Sequence, residues 1–174
     1  RTHIEKVEKA LNRIETLIEQ TNHLADQQIR IEKTDTVSLK DIVWSAWEMV
    51  ETRNSTLQIG GSKQIEADAD SVRQLFENLI KNAVEHGGRE ITCSVGTTET
   101  GFYFEDDGDG IPEEDYELVF ESGYTTGDNS MGLGLTIVEQ IVAKHGWEID
   151  AVDGSDSGTR FDITGVTFQP AVSE

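Results

Sequence analysis

The sequence predicts an α+β protein, a two-layer α/β sandwich preceded by a long coiled-coil-type helix. Two observations carry the sandwich: three amphipathic helical stretches, and short runs of strand character set between glycine-rich turns. A third carries the leading helix, where apolar residues recur at seven-residue spacing with charges on the other face.

In that leading segment Ile4, Leu11, Ile18 and Ala25 form one row of the heptad, and Val7, Ile14 and Thr21 form the second. Leu17 and Leu24 widen the stripe. Such a helix cannot bury its stripe alone and calls for partner helices in a bundle or a dimer. Residues 32–38 read as a polar connection ending in Ser38, a suitable N-cap. Leu39–Val50 is helical, with Ile42, Val43, Ala46, Trp47 and Val50 on one side. After the Gly60-Gly61 turn a short strand lies around Ile65. The next helix runs from about Asp70 to Val84 and turns Val72, Leu75, Phe76, Leu79, Ile80 and Ala83 inward. Ile91–Val95 and Phe102–Asp106 read as strands joined by the Gly96–Gly101 segment, and residues 107–131 as loop. The last helix spans about Leu133–Lys144 and stops at Gly146, with His145 as a partner of the helix dipole. Trp147–Val152 and Arg160–Thr164 are strands around a turn at Asp153–Gly158. The expected regions are therefore 1–33, 34–168 and a tail, 169–174.

Composition narrows the function classes. With 34 acidic against 14 basic residues the net charge is −20, which argues against a nucleic-acid surface. The acidity is spread along the chain rather than gathered in a tail, as in adaptation to a high-salt cytoplasm. The single cysteine, Cys93, rules out an internal disulfide and any multi-cysteine metal site, and it alternates with Ile91 and Val95 as a buried strand residue. No apolar run is long enough for a transmembrane helix or a signal peptide. The first residue is Arg1 rather than Met, so the sequence reads as a fragment, and a membrane segment elsewhere in the parent protein is left open.

Four clusters carry chemistry. Asn78 and Asn82 lie four apart on one helix and share a face beside the apolar stripe. They either satisfy buried backbone groups or present amide oxygens to a hard cation such as Mg²⁺. Asp106-Asp107-Gly108-Asp109-Gly110-Ile111-Pro112 follows a strand directly. A carboxylate at a strand end can accept from an exocyclic amine such as that of adenine, while glycines allow close ligand approach. The plainer readings are an acidic surface turn or a calcium loop. The small residues from Val119 to Gly127 suit a mobile lid. Finally, Gly132-Leu133-Gly134-Leu135 opens a helix, as a hinge or as an anion site built on unpaired N–H groups.

In this order and spacing the clusters resemble the N, G1, F and G2 boxes of the sensor histidine kinases, a GHKL family. "GLGLTIVEQIVAKHGWEI" and "GTRF" (158–161) continue the likeness, which covers about residues 36–168. The resemblance implies the Bergerat ATP-binding fold shared with gyrase, mismatch-repair and heat-shock-chaperone ATPases. It implies that Asn82 ligates Mg²⁺ with help from Asn78, and that Asp106 binds the adenine amine, with Gly108, Gly110 and Ile111 shaping the pocket. Gly132, Leu133, Gly134 and Leu135 would bring N–H groups to the ATP phosphates, and Thr159 would form the base of the adenine site. Glu85, His86 and Thr126 complete the expected nucleotide-binding set. Residues 1–31 would belong to the dimerisation and phosphotransfer hairpin, giving a homodimer. The remaining implied partners are an upstream sensor domain and the receiver domain of a response regulator, in a cytoplasmic domain of a membrane-anchored or soluble parent.

The chain also departs from that family. Glu85 and then His86 stand where a basic residue often follows the second Asn, and the lid has Thr125 and Gly127 in place of a basic residue. His86 or Lys81 would have to substitute near the phosphates. Neither His3, followed by Ile-Glu-Lys, nor His23, followed by Leu-Ala-Asp, matches the acceptor histidine. The expected activity is phosphoryl transfer from Mg-ATP to a histidine outside this chain. The alternatives are a catalytically degenerate ATP-sensing or dimerisation module, a GHKL ATPase that keeps Glu77 in play, and a serine kinase of the anti-sigma-factor type.

Overall fold

In the computed structural model, residues 2–26, 31, 33–61, 63–87, 90–120 and 134–170 are described. The chain divides into two compact units, Arg1–Arg30 and Ile31–Glu174. The first contains helix α1 (Thr2–Asp26), as the heptads predict. Ile4, Val7, Leu11, Ile14 and Leu17 all stand at least half exposed along it.

The second unit begins with β1 (Asp35–Ser38), where a connection was expected. The segment is polar and half exposed, so its strand state comes from pairing antiparallel with β3 (Gln64–Ala67) and not from any apolar pattern. Ser38 closes β1 and caps α2 (Leu39–Met49), its hydroxyl accepting from the Asp41 N–H at 3.3 Å. β2 (Thr56–Ile59) was also not foreseen, and it pairs parallel with β4 (Thr92–Thr97). Helix α3 (Ala69–His86) starts on an Asp68 cap that accepts from Ser71 N–H at 2.9 Å. β5 (Gly101–Asp106) follows β4, and two short 3₁₀ turns, Glu113–Asp115 and Leu118–Phe120, interrupt the region read as loop. Helix α4 (Gly134–Lys144) leads to β6 (Glu148–Asp153), β7 (Thr159–Thr164) and a last strand, β8 (Phe168–Gln169).

The strands form a five-stranded sheet ordered β2-β4-β5-β7-β6 and a three-stranded sheet ordered β1-β3-β8. On the larger sheet, side chains alternate with period 2: Phe102 and Phe104 of β5 and Phe161 and Ile163 of β7 are buried, while Tyr103, Arg160 and Asp162 are partly exposed. The helices cover the buried face. Phe76 of α3 packs on Phe102 with ring centroids 5.5 Å apart, and Trp147 meets Phe102 edge-on at 5.9 Å. Leu75, Leu79 and Ile80 of α3 and Val138, Ile141 and Val142 of α4 complete the layer. These faces make the α+β sandwich that the sequence predicts.

Helix α4 ends as its glycine predicts, with Gly146 at φ +77°. His145 behaves differently from a charged dipole partner. Its Nδ1 bonds the Ile141 carbonyl at 2.8 Å, and its Nε2 accepts the Asp68 N–H at 3.1 Å. The ring stacks on Trp147 at 4.2 Å. With one nitrogen donating and one accepting, the imidazole is held neutral, and burial keeps its pKa below the ordinary histidine value. It therefore links the end of α4 to the start of α3.

Candidate functional site

The site lies where the end of β5 meets the C-terminus of α3 and the turn between β6 and β7. Strand alternation decides the placement of Asp106. It has the parity of Phe102 and Phe104, so its carboxylate falls on the helix-covered face at the point where the sheet runs out. Cys93 stands opposite on β4, and Thr159, only 3% exposed, is the next residue across on β7.

Two backbone N–H groups hold the carboxylate: Gly108 donates to Oδ1 at 2.9 Å, and Thr159 donates as well. Burial pushes the Asp106 pKa up to about 6, the two N–H bonds pull it partly back, and the neighbouring Asp107 and Glu105 charges raise it further. Burial, together with Asp106 and Asp107, pushes the Cys93 thiol up to about 12, so it stays an inert thiol.

Glycines let three backbones converge here. A Cβ on Gly108 would lie 2.8 Å from the Gly87 Cα, and a Cβ on Gly158 would strike the Asp106 carbonyl. Gly158 (φ +72°) and Gly110 (φ +78°) also adopt left-handed angles, and any Cβ on Gly110 would press on the Gly158 carbonyl at 3.0 Å. Bulkier residues here would prise the loops apart. The glycines thus let three loops pack closely around one carboxylate.

The other expected residues take these positions. Asn78 and Asn82 are half-buried on α3, and the Asn78 side-chain amide donates to the Gln74 carbonyl at 2.9 Å. Glu77 lies 3.5 Å from Arg73 Nε in an i,i+4 ion pair. Glu85 is exposed and His86 half-buried in the last turn of α3, next to Gly87. Ile111 is half-buried. Gly134 is the first residue of α4, and Leu135 is a buried core side chain that can offer a ligand only its backbone. Phe120 sits edge-on to Phe161 at 6.1 Å, and its carbonyl accepts the Thr136 hydroxyl at 3.0 Å. Thr126, Gly132 and Leu133, with the expected lid from residue 121 on, lie outside the described residues, while Val119 and Phe120 at its start belong to a 3₁₀ turn.

Among the described residues no three His, Cys, Asp or Glu side chains gather in a way that could hold a metal ion. A bound Mg²⁺ would thus depend on an amide oxygen such as that of Asn82, with water and phosphate oxygens as the remaining ligands.

Sequence reasoning missed Gly87, Ser155, Ser157, Gly158 and Glu105 as parts of this site. The available signal was the run of small residues Gly154-Ser155-Asp156-Ser157-Gly158 just before Thr159.

A carboxylate at the end of a mixed sheet under helices is the setting, and the sequence defines the class: residues 67–168 match the family of histidine kinase-, DNA gyrase B- and HSP90-like ATPases, and the chain belongs to it. Its relatives include the sensor histidine kinase ZraS of Salmonella typhimurium, 32% identical over 145 residues covering 74% of this chain and 30% of that protein. Sporulation kinase A of Bacillus subtilis is 29% identical over 165 residues, 88% of this chain and 27% of that one. The chain thus spans about a third or less of the length of these relatives. Among solved structures, the mycobacterial sensor histidine kinase MprB shares the fold with TM-score 0.65 and 24% identity, over 78% of this chain and 97% of that one. Full-length ShkA in complex with AMPPNP shares it with TM-score 0.74 and 19% identity, over 98% of this chain and 40% of that one.

Proposed function

We propose that this chain is the Mg-ATP-binding catalytic part of a sensor histidine kinase, joined to one helix of its dimerisation and phosphotransfer hairpin. The observation that carries the reading is Asp106, a half-buried carboxylate at the end of β5 among three close backbones, of the right chemistry to accept from an adenine amine. The sensor kinases among the relatives, and the AMPPNP complex of ShkA, support it.

On this reading ATP supplies the phosphoryl group, and the protein supplies positioning and charge control. Asp106 accepts from the base amine, and the Gly108 and Gly110 backbones pack against the ring. The first turn of α4, from Gly134, offers N–H groups to phosphate oxygens. Asn82 contributes an amide oxygen to the metal, with Asn78 beside it. The exposed stripe of α1 fits a homodimer, and the product phosphohistidine would pass its phosphoryl group to the aspartate of a response regulator. The regions 1–33, 34–168 and 169–174 remain the proposed division of labour.

A chain extended upstream of Arg1 and incubated with γ-labelled ATP and Mg²⁺ tests the reading. Label that survives alkali and is lost in acid is the expected phosphohistidine. Continuous phosphate release without label would instead support the ATPase reading, for which Glu77 would have to leave Arg73 and activate water. No nucleotide binding at all would overturn both.

A further inference from the structure

The turn between β6 and β7 has a feature that the nucleotide reading does not need: together with Thr159, the first residue of β7, it bonds to four consecutive residues, 105–108, at the end of β5. Ser155 donates to the Glu105 carboxylate through both its N–H, at 3.2 Å, and its hydroxyl, at 3.0 Å. The Thr159 N–H donates to Asp106. The Ser157 hydroxyl is shared between the carbonyls of Asp107, at 3.4 Å, and Gly108, at 3.3 Å. The turn is fixed in its own right, since Gly154 N–H donates to the Gly158 carbonyl at 3.1 Å and Tyr116 donates to Asp153.

Physical need and backbone strain agree. Glu105, Asp106 and Asp107 are three adjacent acids, and the cation nearest in register, Arg160 opposite Glu105, is turned to Asp162 at 2.9 Å and stacked over Tyr103. Neutral donors therefore do the holding: Ser155 of the turn for Glu105, the Gly108 N–H for Asp106 and the Thr92 N–H, at 2.7 Å, for Asp107. Ser157 also sits at φ +63°, a conformation that a glycine would take at less cost. The strained angle aims a hydroxyl at the two carbonyls that flank the bend after Asp106.

We infer that Ser155 and Ser157 are positioning residues that fix the direction of the Asp106 carboxylate and thereby set the discrimination between adenine and other purine bases. This rests on the proposed ATP site. Asp107 stays bonded to Thr92 without the turn, its N–H to the Thr92 carbonyl at 3.3 Å and its carboxylate to the Thr92 N–H at 2.7 Å, so the loss falls on the Gly108 peptide, whose N–H aims the Asp106 Oδ1. A base without the 6-amine makes no amine bond to that acceptor and should register the change far less.

The test measures affinities of the whole chain for ATP and for inosine triphosphate, in which an oxo group replaces the amine. Parent, Ser155→Ala, Ser157→Ala and the double variant are compared with Mg²⁺ present, with melting temperatures alongside. Each serine variant should weaken ATP by about three- to tenfold, the loss expected for one or two hydrogen bonds, and leave inosine triphosphate within about twofold. Ser157→Asn, which tolerates positive φ and keeps a donor, should restore part of the preference. If both nucleotides weaken in step, or if the double variant changes neither, the positioning role is overturned and the ATP site stands. If the parent has no preference for ATP, or Asp106→Ala keeps that preference, the ATP-site reading fails and this one with it.

Discussion

At the scale of single residues, Asp106 joins two opposing demands. Its folded-state pKa of about 6 lies above the ordinary 3.8, so folding favours the protonated acid. That contribution is full below about 3.8 and is lost as pH rises through about 6, so at neutral pH the buried charge costs stability. Asp106→Asn keeps an oxygen for the Gly108 and Thr159 N–H groups and removes the charge. It should raise stability at pH 7.5 by about 1–2 kcal/mol in denaturant melts, while ATP affinity falls at least tenfold. In the parent, ATP affinity should be level above pH 7 and fall below about 6, and a flat profile would exclude Asp106 as the acceptor. Asp106, Gly108 and Gly110 could be singled out in the sequence because a carboxylate and glycines follow a strand, a pattern equally open to an acidic turn or a calcium loop until the order of the four clusters is added. Ser155, Ser157 and Gly158 were not, because their partners lie about fifty residues earlier and only the β5–β7 register joins them.

At the scale of elements, helix α3 is held by its packing and by one unusual link. Phe76 is fully buried against Phe102, and Phe76→Ala should cost about 3–5 kcal/mol, read as a lower denaturation midpoint. The link is His145, neutral between the Ile141 carbonyl and the Asp68 N–H. Its folded-state pKa is depressed, so its contribution is present above about 6.5 and is lost as pH falls through the lower folded value. His145→Phe keeps the stack on Trp147 and loses both bonds. It should be about 1–3 kcal/mol less stable at pH 7.5 and show a shallower loss on acidification than the parent. The helices and long strands could be read from periodicity, since each carries its own apolar face. β1, β2 and β8 could not. They have two to four residues, none of them buried, and become strands only by pairing with segments distant in sequence.

At the scale of the whole molecule, a net charge of −20 on 174 residues makes self-repulsion a general load on the fold. Screening lengths fall from about 10 Å at 0.1 M salt to about 3 Å at 1 M, so the melting temperature should climb over that range; a decline would show that specific ion pairs outweigh the general repulsion. A more local feature is the small sheet. β8 pairs with β3, and the Glu66 carboxylate takes the Thr34 hydroxyl on one oxygen, at 3.1 Å, and the Gln169 amide on the other, at 3.2 Å. The first and last strands of this unit are thus sewn to one central strand, and the seam can open from either end. Trimming the chain after Thr167 should speed amide hydrogen exchange at Asp35–Ser38, more than a hundred residues away in sequence, while the β5 amides exchange as before.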